Sequence, residues 1–167
     1  MVGSWALEFG SCRADNPIRT GAGGVRTFMK KVTVIDTNLV SLWYYPDAKI
    51  VHHQIKGFLS GQPFRDFLMA GSEMMRKHGG EKWLSDDRAC PVVRPEDIDW
   101  GDAVWFPQLA ASGWKYWAIV PPAKMVGQAV IKELTTKYAK QGVTSQWFTD
   151  PYDAMTWLQR QGTSAAA

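Results

Sequence analysis

Cysteine is nearly missing from this chain. Cys12 and Cys90 are the only two in 167 residues, they stand far apart, and neither belongs to a CxxC pair. That excludes a disulfide framework and a cysteine-based metal site, and a reducing, cytoplasmic compartment is the expectation. Long apolar runs are missing too. None approaches the roughly 18–20 residues of a membrane span, so no stable membrane insertion is expected, and the start of the chain lacks the apolar segment of a secretory signal. Catalytic signatures are equally scarce. There is no Gly-x-Ser-x-Gly elbow, and the "GAGG" near the start lacks both a preceding strand and the Lys-Ser/Thr of a phosphate loop. His, Cys and Asp never fall at the spacing of a known metal site. No cofactor is therefore expected.

A basic excess is also absent from the body of the chain. The net charge is +3, from 19 Lys/Arg against 16 Asp/Glu. Residues 1–31 hold five basic and two acidic groups, which leaves 14 of each sign for the rest. A nucleic-acid-binding domain ordinarily carries its positive charge on its folded part, so nucleic acid is not an expected partner. Aromatic side chains, by contrast, are abundant: 13% of residues, nine of them Trp, enough to build a large core.

The first 31 residues read as a flexible leader, glycine-rich and aperiodic, although Trp5, Leu7 and Phe9 alternate as a short strand would. Met29, just before the patterned region, is an alternative translation start. Residues 32–161 read as a single domain, and 162–167 as a disordered tail. "VTVIDT" is β-rich, and "LVSLWYYPDAKIVHHQIKGF" is a hairpin over Val40–Tyr45 and Lys49–Gly57, split by the turn pair Pro46-Asp47. Ser60 is the expected N-cap of a helix whose inner face holds Phe64, Phe67, Leu68, Gly71, Met74, Met75 and His78, stopped by Gly79-Gly80. "EKWLSD" is a strand. "RPEDIDWGDAVWFPQLAASG" is a helix that Pro107 should kink or break. "YWAIVPP" is a strand, then Val126, Val130, Leu134 and Tyr138 mark a helix face. "TSQWFTD" is the last strand, and Asp150 caps a final helix whose inner face is Ala154, Trp157 and Leu158.

Strands come first, then strand and helix alternate. That order predicts an α/β fold with a mixed, mainly parallel sheet of about five strands and about four crossover or flanking helices.

The strand-to-helix junction "IVHHQIKGFLSGQPFRDFL", the strand end "KWLSDDRA", the aromatic "WFPQLAASGWKYWAIVPP" and the closing "WFTDPYDAMTWLQ" together resemble the STAS/SEC14-like domain family, small bacterial relatives of anti-sigma-factor antagonists. The resemblance covers about Leu39 to Gln159. It implies a non-enzymatic regulatory or protein-interaction module, or alternatively a protein that binds a lipid or another small apolar ligand. Regulators in this family are phosphorylated on a Ser or Thr at a strand end, and Ser85 is nearest that position. It departs from the family pattern, because "DDRACPVVRP" follows where a helix should begin.

The segment from Lys82 to Trp100 concentrates the candidate residues. Asp86 and Asp87 are adjacent, so in an extended chain they point to opposite sides and do not form a paired-carboxylate site by themselves. One of them is free to pair with Arg88. His52 and His53 alternate in the same way and cannot share a metal. Cys90 beside Pro91 has no histidine near it in sequence, and it reads as an ordinary buried or loop cysteine. Trp100 and Trp105, five apart on a helix, diverge, so one of them is expected in the core and the other in a pocket or dimer contact. Ser85, Asp86, Asp87, Arg88, Trp100 and Trp105 are thus the candidate ligand- or partner-binding residues. The expected partners are a second copy of the chain in a homodimer, another protein, or a small apolar ligand.

Overall fold

The computed structural model describes residues 29–162. Cys12, the "GAGG" stretch, the Trp5–Phe9 alternation and the tail from 163 lie outside the described residues. Three residues assigned to the leader are described. Met29 Sδ accepts a hydrogen bond from Gln159 Nε2, and Lys31 sits 5.0 Å over the Trp43 ring. The contacts of the domain therefore begin before Val32.

Six strands form one sheet in the order β1 to β6, one more strand than expected. They are β1 (Val32–Asp36), β2 (Val40–Tyr45), β3 (Ile50–Ile55), β4 (Lys82–Asp86), β5 (Tyr116–Val120) and β6 (Thr144–Trp147). β1, β2 and β3 pair antiparallel, and β3 to β6 pair parallel. The helices are α1 (Gln62–His78), α2 (Pro95–Trp100), α3 (Phe106–Ala111), α4 (Met125–Ala139) and α5 (Pro151–Arg160). The strand order never reverses from β3 to β6. Because crossovers between parallel strands are right-handed, α1, α2–α3 and α4 must all lie on one face. The core shows this. Phe67, Met75, Leu109, Ile131 and Tyr138 from these helices join Leu42, Val51, Trp83, Trp117 and Ile119 from the sheet. Only α5 returns to the other face, where Ala154, Met155 and Leu158 meet Ile50, Leu84, Ala118 and Val120.

Several helix details differ from the sequence reading. Ser60 does not cap α1. Gly61 takes that position at φ 65° with no side-chain cap, and its own N–H donates to Asp97 Oδ2 at 2.8 Å. Pro107 does not break its helix. The residues before it, Gly101–Trp105, widen into a π turn, with the Phe106 N–H bonded to the Gly101 carbonyl, and α2 runs through it into α3. A π turn relaxes the ladder where the proline has no N–H to give. On α4 the inner face is rotated. Gly127 and Ile131 are buried, while Val126 is exposed. A Cβ at Gly127 would lie 2.9 Å from Pro122 Cβ, so glycine lets the helix start close against the preceding prolines. The Asp150 cap does form, accepting from the Tyr152 N–H at 2.7 Å, and Met155 joins the expected inner face of α5.

Candidate functional site

Open α/β sheets usually bind ligands at strand carboxyl ends, in the crevice where the strand order reverses. This sheet has no reversal among its parallel strands, so that crevice does not exist. The cavity it has instead lies over the carboxyl ends of β3 and β4, beneath α1, α2 and α4.

Its floor follows from register. His53 pairs with Ser85 across β3 and β4, and Ser85 pairs with Ile119 across β4 and β5. Paired residues share a face, so His53 and Ser85 rise together on the side of α1 and α4. Asp87, two residues after Ser85, rises with them. The Trp83 indole N–H donates to His53 Nδ1 at 2.9 Å. An indole can only donate, so Nδ1 is the lone-pair nitrogen. The imidazole proton therefore sits on Nε2 and is donated to Asp87 Oδ1 at 3.0 Å. Ser85 Oγ accepts the Trp117 indole N–H at 2.8 Å. His53, Ser85 and Asp87 are all at least nine-tenths buried.

The cavity has a volume of about 80 Å³. Phe64, Phe67 and Leu68 of α1 line it, with Asp97, Ile98, Gly101 and Trp105 of the α2–π segment. Ile131, Leu134 and Tyr138 of α4, and Ile55, Val93 and Trp117, complete the wall. Gly101 confirms the void independently. It is buried, yet a Cβ built on it would have nothing within 4 Å. Most of the aromatic polar atoms on this wall are already engaged. Trp105 Nε1 donates to the Leu68 carbonyl at 3.2 Å and the Tyr138 hydroxyl to Asp102 Oδ1 at 3.2 Å. Together with Trp117 bonded to Ser85, these residues have no free N–H or O–H left to offer.

The six candidates from the sequence divide evenly. Ser85, Asp87 and Trp105 line the cavity, whereas Asp86, Arg88 and Trp100 do not. Asp86 turns to the opposite face of the sheet, where Arg88 grips both its oxygens at 2.8 Å and Gln54 Nε2 reaches Oδ2 at 3.2 Å. Burial pushes the Asp86 carboxyl up, but the Arg88 guanidinium outweighs it and holds the acid below its ordinary range. Trp100 is half-buried under the Arg65 guanidinium, 5.4 Å from its ring centroid. Trp105 goes into the core against Trp83, so the two tryptophans do diverge. Ser85 is inside a strand and under Trp117, out of reach of a kinase in the folded chain. Cys90 is buried, and its thiol is pushed up to about 12 by burial and then by the nearby Asp87 charge, the reverse of what activates a nucleophile.

His53 was not among the six candidates, although the period of two along β3 carries its signal: His52 and His53 must face opposite ways. His53 turns to Phe67 and Trp83, and His52 to Trp43 and Tyr45. Phe64, Phe67, Trp117 and Tyr138 were legible as core residues, but their convergence on one void depends on where three helices land.

Compared with family models, with curated proteins and with solved structures, the chain has no match.

Proposed function

We propose that this chain is a non-enzymatic, STAS/SEC14-like binding domain that takes a small ligand into the aromatic cavity above β3 and β4. The observation that carries the reading is the void facing Gly101: a buried glycine with empty space before it, ringed by aromatic side chains and by the polar groups of His53, Ser85, Asp87 and Asp97. The geometry favours binding over chemistry. Both nitrogens of His53 are engaged, by Trp83 and by Asp87, so the imidazole has no free atom with which to take a proton from a substrate. The Cys90 thiol is buried and resists ionisation. Asp86 is locked by Arg88. Among the described residues no nucleophile stands beside a free base. At about 80 Å³ the cavity is smaller than the roughly 150 Å³ void that takes up benzene, and far below the 300–1,000 Å³ of pockets for large ligands. It fits one small group rather than a whole acyl chain.

A thermal-shift series with apolar compounds smaller than benzene tests this. At a ligand concentration 100 times its Kd, a binder stabilises the fold by about 2.7 kcal/mol. The same compound should leave Gly101→Leu unshifted, because leucine at that position fills the void. A shift of equal size in Gly101→Leu places the ligand elsewhere, and no shift for any compound contradicts the reading.

Self-association through β6 is a second reading, favoured by the contrast between the two sheet edges. β1 is interrupted by a bulge between Thr33 and Ile35. β6, "TSQW", has no bulge, charge or proline to discourage pairing, and Trp147 is exposed. Thr144 and Phe148 donate inward to the Lys115 and Ile119 carbonyls, both at 2.8 Å, so Ser145 and Trp147 turn their backbone groups outward. A two-fold antiparallel pairing centred on Gln146 would match Ser145 of one copy with Trp147 of the other. It would also set the Lys140 end of β6 beside the Asp150 end of its partner. Light scattering should give a dimeric mass for the unaltered chain and a monomeric one for Ser145→Pro, which removes an outward N–H and no inward one. A monomer before substitution contradicts this reading.

A further inference from the structure

The charge balance inside the cavity is uneven. Among the described residues, two carboxylates face it, Asp87 and Asp97, and no Lys or Arg lines it. Asp97 is compensated: Arg65 Nε reaches its Oδ1 at 3.1 Å and the Gly61 N–H its Oδ2 at 2.8 Å. Asp87 has no such partner. Its only ion-pair candidate among the described residues is His53, and the Trp83 indole keeps the lone pair of that ring on Nδ1, so His53 meets Asp87 as a neutral donor. Asp87 Oδ1 is occupied, while Oδ2 has no hydrogen-bond partner among the described residues and is not wholly closed off from solvent. A buried carboxylate is costly unless it is neutralised or paired with a cation. The side chains around it are of the kind that pairs best with an alkylated cation: ring surface from Phe67, Trp105, Trp117 and Tyr138, whose quadrupoles attract positive charge.

We propose that the cavity receives the head of a small alkylammonium cation, with Asp87 as its counter-ion and the aromatic side chains as its cage. The proposal rests on the binding reading above and names the chemical class of the ligand. The small volume suits a compact methylated head, and no group of three or more His, Cys, Asp or Glu among the described residues is placed to hold a metal ion. Ser85, whose oxygen already accepts from Trp117, retains a hydroxyl hydrogen that can orient an oxygen attached to such a head.

The test compares tetramethylammonium chloride and choline with dimethylbutanol, the neutral carbon isostere of choline. It is read from the Trp indole N–H resonances of the whole chain, with ionic strength held constant by sodium chloride. The cations should bind at least about tenfold more tightly than the isostere, and Asp87→Asn, which keeps an oxygen for His53, should erase that preference. The comparison on the unaltered chain stands even if Asp87→Asn fails to fold. Equal binding of cation and isostere overturns the cation assignment and leaves the apolar cavity reading intact. If none of the three binds, the cation assignment is overturned, and the cavity reading is decided by the thermal-shift series. Binding of the cation with its preference unchanged in Asp87→Asn removes Asp87 as the counter-ion.

Discussion

Gly71→Ala should destabilise the domain by about 2–4 kcal/mol and lower its Tm on the order of 10 °C, against the usual direction for this substitution. In an exposed helix interior, alanine is better than glycine by up to about 1 kcal/mol. Gly71 sits in the middle of α1, but a Cβ there would lie 3.0 and 3.1 Å from Trp83 Cζ3 and Cζ2, and closer still to Cη2. Trp83 is 1% exposed and has no room to retreat. It meets Trp105 edge-on and holds His53 through its indole N–H. Displacing the ring would therefore cost packing and also leave a buried donor and acceptor without partners, each worth roughly 1–3 kcal/mol. Urea melts of the two proteins decide the matter. A Gly71→Ala variant as stable as the parent, or more so, would show that helix propensity outweighs the contact and that the Trp83 position is not tightly determined.

His52→Phe should raise stability at neutral pH, and raise it further in acid. Both ring nitrogens of His52 are sealed from solvent without a hydrogen-bond partner, and the ring lies between Trp43 (4.9 Å between centroids) and Tyr45 (6.2 Å). Burial first, and then the charges of Lys31 and Arg88 against the opposing pull of Asp86, lower its pKa from 6.5 to about 3. Below pH 6.5 the unfolded chain takes up a proton that the folded chain refuses until about pH 3. Stability is thus lost as pH falls through that window, at about 1.4 kcal/mol per unit. Between pH 7.5 and 5 the loss from this residue is about 2 kcal/mol. Phenylalanine removes it, and relieves the unsatisfied nitrogens at every pH. Denaturation at the two pH values should show His52→Phe ahead of the parent at pH 7.5 and further ahead by about 2 kcal/mol at pH 5. Parallel losses in both proteins would mean that His52 is hydrated or paired in solution.

Much of the fold was legible because its signals are local. The Pro46-Asp47 turn, the Gly79 stop and the Asp150 cap each act within a few residues, and the alternation of β3 and β4 follows from a period of two. The expectations that failed depend on distant partners. Ser60 looked like a cap, but Gly61 holds that position, anchored through its N–H by Asp97, 36 residues away. Pro107 looked like a breaker, but a π turn upstream absorbs it. At the site, the alternation argument separated Asp86 from Asp87 correctly. It did not reveal that His53, 34 residues before Asp87, would be its neighbour, since that pairing exists only once β3 and β4 lie side by side in one register. The cavity was still less legible. It is defined by what three helices fail to fill, and Gly101 looks like any other helix glycine until α1 and α4 are in place.

The most direct measurement is a crystal of the protein pressurised with xenon, which enters apolar voids whatever their natural ligand. A xenon atom should appear beside Gly101, between Trp105 and Phe67 and within reach of Asp87, and should vanish in Gly101→Leu. A cavity filled instead by side chains, with no xenon at this position in the unaltered protein, would contradict the account.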